Sequence, residues 1–107
     1  MHLGQDADHG GIALYGSSKA ALQLLTKSWA AEFGPAGVRV NAVSPGPTRT
    51  EGTAVLGDNL DGLAGTTPLR RVGTPAEVAA GIVFLASDEA ALIHGTTLPI
   101  DGGRLAV

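Results

Sequence analysis

The chain contains no cysteine, which excludes a disulfide framework and any thiolate metal site. Aromatics are scarce, at 4% of 107 residues, so Tyr15, Trp29, Phe33 and Phe84 are the only large rings available to fill a core. Charge is also sparse. Seven Lys and Arg stand against ten Asp and Glu, for a formal net charge of -3. They are unclustered, which argues against a nucleic-acid groove. No apolar run approaches the ~20 residues of a membrane span. Nor does a basic stretch precede a short apolar one, as a secretory signal requires. His2, Asp6, Asp8 and His9 lack any fixed ligand spacing, so no metal site is expected. These absences leave a cytoplasmic chain with no membrane and no nucleic-acid partner as the expectation.

What is abundant is small: 16 Gly, with Ala, Leu and Val supplying most of the 44% hydrophobic content. That composition suits tightly packed α/β layers. Residues 1–11 are polar and without periodicity, and read as a poorly ordered start. A helix is predicted over 14–33. Tyr15, Lys19, Leu22, Thr26, Trp29 and Phe33 share one face, and Ser17, Ala20, Ala21, Leu24, Ser28 and Ala31, mostly small residues, share the other. Small residues permit close helix approach, so the second face is a candidate subunit contact. Gly34 and Pro35 end the helix.

Val38–Ser44 reads as a buried strand closed by Pro45-Gly46-Pro47. Residues 48–67 show no firm periodicity and read as a lid or loop. Thr74-Pro75-Ala76-Glu77 is a capping-box helix start. The helix over 75–87 turns Val78, Ile82, Leu85 and Ala86 toward a core. Thr96–Ile100 is a second strand, placed at a sheet edge by Pro99. The order of helix, strand, loop, helix and strand implies a parallel sheet with a crossover helix. Two parallel strands are too few for a stable sheet, so a neighbour for the first strand is expected outside these residues.

Two groups of residues could carry chemistry. Tyr15 and Lys19, four apart, lie on one helical face. An ammonium beside a phenol favours the phenolate, which makes an acid/base couple for a hydroxyl or carbonyl oxygen. The same spacing also suits an ordinary helix start with a surface lysine. The second group, Asn41 to Thr50, lies just past the carboxyl end of a strand, where open α/β sheets bind ligands. Gly46 allows close backbone approach, and the hydroxyls of Thr48 and Thr50 could hold a carboxamide or phosphate. A plain strand-to-loop turn is the alternative.

Four segments in register resemble the C-terminal half of the classical short-chain dehydrogenase/reductase family. They are YGSSKAA (Tyr15–Ala21), GVRVNAVSPGPTRT (Gly37–Thr50), GTPAEVA (Gly73–Ala79) and HGTTLPIDGG (His94–Gly103). The likeness runs from Gly10 to Gly103. It implies the C-terminal part of a Rossmann-like, doubly wound parallel sheet in three α/β/α layers, with the N-terminal cofactor half missing and residues 12–107 forming the remainder. By this resemblance Tyr15 is the catalytic acid/base, and Lys19 lowers its pKa and contacts the nicotinamide ribose. Pro45, Gly46, Pro47, Thr48 and Thr50 join Tyr15 and Lys19 in holding NAD or NADP, and residues 51–68 form the substrate loop, with Leu56, Leu60 and Leu63 as an apolar lining. Homo-oligomer contacts fall on the 14–33 helix and on the 75–87 helix with the 96–100 strand.

The chain also departs from the family pattern. No Gly-rich pyrophosphate turn is present, and His2 stands at the offset where the family carries its active-site Ser. The expectation is therefore an NAD(P)-dependent oxidoreductase acting on a small carbonyl or alcohol substrate, with these 107 residues inactive alone. The alternative is a non-catalytic fragment that dimerises or docks on a full-length relative.

Overall fold

A computed structural model describes residues 6–106, with side chains from Gly16 onward. The elements run α1 (Asp6–Phe33), β1 (Ala42–Pro45), α2 (Asp58–Ala64), α3 (Pro75–Ala86) and β2 (Thr97–Ile100). Short 3-10 turns lie at Gly34–Ala36, Ala54–Leu56, Asp88–Ala90 and Arg104–Ala106.

The sheet is a parallel β1–β2 pair in which Val43 is matched to Leu98 and Ser44 to Pro99. Both prolines are accommodated by alternation along the strands. Ala42 and Gly46 donate to the Thr96 and Ile100 carbonyls, each at 2.9 Å. Pro45 and Pro99 therefore present their missing donors to the opposite edges. This is why β1 runs through Pro45 instead of stopping at Ser44, and why β2 carries Pro99 at an edge, as the sequence indicates.

The two long helices cover opposite faces. Lys19 of α1 reaches Ser44. On the other face Gly81 of α3 sits against Leu98 and Ile100, where an added Cβ would fall 2.4 Å from Ile100 Cδ1. Val78, Gly81 and Leu85 thus make the helix–sheet seam. Leu85 is buried, whereas Ile82 and Ala86 are exposed, contrary to the sequence pattern. A glycine at the contact lets the helix approach the strands closely, and Ile82 stays half exposed at the edge of the seam beside Ala42 and Val43.

Of the expected strand Val38–Ser44 only Ala42 onward is in β1, and Val38 is 51% exposed; three further features differ from expectation. The first helix is described from Asp6, so residues 6–11 lie within it, where the sequence pattern predicts a start at 14. Gly10 and Gly11 lower helix propensity by about 1 kcal/mol each relative to Ala but do not forbid it, and no proline interrupts the run. Residues 1–5, including His2, and the side chains of Asp6, Asp8, His9 and Tyr15 lie outside those described. Second, the predicted loop holds α2, whose Leu60 and Ala64 are buried. About two turns with two buried anchors are too short to show periodicity. Third, α1 does end at Phe33, but the left-handed cap is Gly37, at φ 82°. Gly34 instead makes room for a ring, since an added Cβ would fall 2.8 Å from His94 Nε2.

On α1 the buried residues are Thr26 and Ala30, flanked by half-buried Lys19. Trp29 and Phe33, expected in the core, remain 43% and 41% exposed. The small-residue face from Ser17 to Ala31 is exposed throughout. The apolar core among the described residues is thin: Ala30, Leu60, Ala64, Leu85 and Ala90. Leu60 and Leu85 each contribute roughly 1.5–3 kcal/mol by burial.

Candidate functional site

The site is built where β1 ends. Lys19 Nζ donates to Ser44 Oγ at 2.6 Å, which ties the middle of α1 to the last turn of the strand. Lys19 and Tyr15 are one helical turn apart on α1, so this bond also fixes the helix face that carries Tyr15. The Tyr15 side chain itself lies outside those described.

Beyond Ser44 the chain turns through Pro45 to Thr50. Gly73 N–H donates to the Pro47 carbonyl at 2.8 Å, and Arg49 N–H donates to the Gly73 carbonyl at 2.9 Å. This short parallel bridge pins the turn to the segment entering α3. Thr48 Oγ1 donates to the Gly46 carbonyl at 2.8 Å, so its hydroxyl proton is committed and its lone pairs remain to accept. Thr53 Oγ1 donates to the Thr48 carbonyl at 2.7 Å and accepts from Thr50 N–H at 2.8 Å. Arg49 pairs with Asp61 at 2.8 Å, linking the turn to α2.

Pro45, Gly46, Pro47, Thr48 and Thr50 line a single cleft of about 590 Å³. Its other walls are Thr53, Leu56, Leu60, Leu63, Thr66 and Arg104. The structure therefore brings the five predicted residues of the turn together with the three leucines of the 51–68 segment. Lys19 stands next door, through Ser44. Ser44 itself, buried at 8% exposure, and Arg104 were not singled out by sequence reading. Arg104 follows an Asp-Gly-Gly turn that carries no local sign of a cleft.

Two residues of the Asn41–Thr50 group serve the scaffold. Asn41 Nδ2 donates to the Ile93 carbonyl at 2.9 Å, and its Oδ1 accepts from Thr96 N–H at 3.1 Å. Both ends of its amide are thus used to hold the turn before β2. An added Cβ on Gly46 would fall 2.8 Å from Asp101 Cα, so the glycine is required by the close passage of the two strand ends. A third residue, Arg39, donates to the Leu85 and Ser87 carbonyls at 2.7 and 3.0 Å, capping the end of α3.

Charge elsewhere is local. Arg71 and Glu77 form a bidentate pair at 2.8 and 2.5 Å. Hydrogen bonding from Arg71, followed by that from the Thr74 backbone, holds the Glu77 carboxyl at about 2, below the usual range. Among the described residues no group of His, Asp and Glu is arranged to hold a metal ion. No helix among them is long and apolar enough to cross a membrane.

A family model described as enoyl-(acyl carrier protein) reductase matches residues 3–104. Cyclopentanol dehydrogenase of Comamonas sp. (strain NCIMB 9872) is 41% identical over 99 residues, covering 90% of this chain and 40% of the relative. A solved structure of a short chain dehydrogenase/reductase family protein is 53% identical, with a TM-score of 0.80, covering 89% of this chain and 39% of that one. A 4-hydroxyisoleucine dehydrogenase mutant complexed with NADH and succinate is 41% identical with a TM-score of 0.82, covering 89% and 40%. The chain thus spans about two fifths of the length of these relatives.

Proposed function

The chain belongs to the short-chain dehydrogenase/reductase family, and from that premise we propose that it carries the proton-transfer and substrate side of an NAD(P)-dependent oxidoreductase acting on a small carbonyl or alcohol compound. The observation that carries the reading is the 2.6 Å bond from Lys19 to Ser44. It ties the helix that carries Tyr15 and Lys19 to Ser44, the residue before the turn whose Pro45, Gly46, Pro47, Thr48 and Thr50 line a cleft together with Leu56, Leu60 and Leu63.

In this reading a nicotinamide nucleotide, NAD or NADP, supplies or accepts hydride at the substrate carbon. The residues fit its nicotinamide end. Thr48 offers acceptor lone pairs, Gly46 and Pro47 offer backbone beside the cleft, and Thr50 offers a second hydroxyl. Tyr15 gives a proton to the substrate oxygen during reduction and takes it back during oxidation. Lys19, as a nearby cation, favours the phenolate and makes that exchange feasible near neutral pH. Leu56, Leu60 and Leu63 pack the apolar part of the substrate and exclude water.

The 107 residues contain no Gly-rich turn for a pyrophosphate, and the reading includes no turnover by this chain alone. A cytoplasmic setting and homo-oligomer contacts on α1 and on α3 with β2 complete it. The exposed Leu24, Trp29 and Phe33 of α1 and Val83 of α3 support those contacts. The same exposed faces also support a second reading, an association fragment that docks on a full-length relative.

The catalytic reading is tested by grafting residues 10–103 into the corresponding segment of 4-hydroxyisoleucine dehydrogenase. The expected outcome is NADH-dependent turnover in the chimera. It falls roughly 10²–10⁴-fold on Tyr15→Phe and is absent in the isolated chain. A folded chimera whose turnover is unchanged by Tyr15→Phe refutes the role of Tyr15.

A further inference from the structure

We propose that the cleft selects an amphipathic organic acid, with an apolar chain laid on Leu56, Leu60 and Leu63 and a carboxylate held by Arg104. The inference deepens the oxidoreductase reading and rests on it for the alcohol or ketone the ligand bears, but not for the ligand's charge.

Arg104 is the one charged side chain among the described residues that line the cleft. The nearest alternative cation on the same turn, Arg49, is already neutralised by Asp61 at 2.8 Å. Arg104 has no side-chain partner among the described residues. Its backbone is anchored by N–H donation to the Asp101 carbonyl at 3.3 Å, and the turn before it is braced by Gly103 N–H on Asp101 Oδ1 at 2.9 Å. An anchored guanidinium with no side-chain partner among the described residues offers a planar fork of donors that matches a carboxylate in two-point contact.

The rest of the cleft suits the other end of such a molecule. Leu60 is buried and forms a floor, while Leu56 and Leu63 are partly exposed walls. A bound alkyl chain would remove the surface of those walls from water. Among the described residues of the lining none is acidic, so none repels a carboxylate. A phosphate of the cofactor is the other anion that Arg104 could meet. The leucines sharing its cleft favour the substrate carboxylate.

The test is titration of the isotopically labelled 107-residue chain, followed by amide NMR, with hexanoate, 1-hexanol and inorganic pyrophosphate. Hexanoate is expected to shift the amides of Thr48, Leu60, Thr66 and Arg104 and to bind about three- to tenfold tighter than hexanol. Arg104→Gln removes that difference and leaves hexanol binding unchanged, whereas Arg104→Lys keeps part of it. Because Arg104 is exposed, neither substitution threatens the fold. Three results overturn the proposal: equal affinities in the unaltered chain, a difference that survives in Arg104→Gln, or no shift of cleft amides with either ligand. Pyrophosphate binding that is lost in Arg104→Gln overturns it too, by assigning Arg104 to a cofactor phosphate. None of these outcomes bears on Tyr15, which the chimera tests separately.

Discussion

Single side chains decide how the ends of the sheet are held. His94 illustrates this without being part of the cleft. Its Nε2 lies 2.6 Å from the Ala30 carbonyl, which can only accept, and its Nδ1 receives Val40 N–H at 3.2 Å. The network therefore assigns the neutral ring with the proton on Nε2. Asn41 has the same character, since both ends of its amide are spent on the 93–96 turn. Asn41→Asp places a carboxylate oxygen where a donor faces the Ile93 carbonyl. We expect a loss of roughly 1–3 kcal/mol, read as a lower urea midpoint with an unchanged slope. Hexanoate binding in the cleft should persist in that variant. If Asn41→Asp instead leaves stability intact and abolishes binding, the residue belongs to the ligand site.

At the scale of elements, helix starts and stops account for much of the architecture. The α3 start is a complete capping box. Thr74 Oγ1 accepts from Glu77 N–H at 3.2 Å, and the Glu77 carboxylate accepts from Thr74 N–H at 3.0 Å. Arg71 adds two bonds to the same carboxylate, and its own pKa is raised in return. Glu77 has a folded value of about 2 against about 4.3 in an unfolded chain. Its contribution is therefore complete above about 4.3 and is lost as pH falls toward 2. Urea midpoints of the unaltered chain and of Glu77→Gln should differ at pH 6 and converge near pH 2. A gap that is constant across that range would sink the assignment. The pair is exposed, so the effect will be modest and salt-sensitive.

At the scale of the whole molecule, the chain is long and thinly cored. Its extents are 49 × 29 × 27 Å and its radius of gyration is 16.1 Å, compared with about 13 Å for a compact 100-residue domain. Helix α1 alone is about 42 Å long at 1.5 Å per residue. Its small-residue face is exposed, as are large apolar groups on α1 and α3. Exposed apolar side chains on these helices are what the proposed self-association would cover. Sedimentation velocity at micromolar concentration should show a dimer or larger species. Ala21→Glu with Leu24→Glu should shift it to monomer while helicity by circular dichroism is retained. A well-folded monomer in the unaltered chain counts against an interface on α1.

The capping box, the stop at Phe33, the edge strand with Pro99 and the four family segments were all legible in the sequence, because each depends on neighbours within a few residues. The sequence alone also named the residues of the β1–α2 turn and the apolar lining that follows it. Long-range packing lay beyond it. It could not show that Gly46 and Gly81 are small because Asp101 and Ile100 press on them, or that Gly34 yields to His94 while Gly37 takes the left-handed cap. It could not show that Thr26 and Ala30 are buried while Trp29 stays half in water. Nor could it show that Ser44 receives Lys19 and that Arg104 arrives at the cleft. Those facts depend on which distant backbone passes within a few ångströms, and only the tertiary structure brings residues 25 to 64 positions apart into contact.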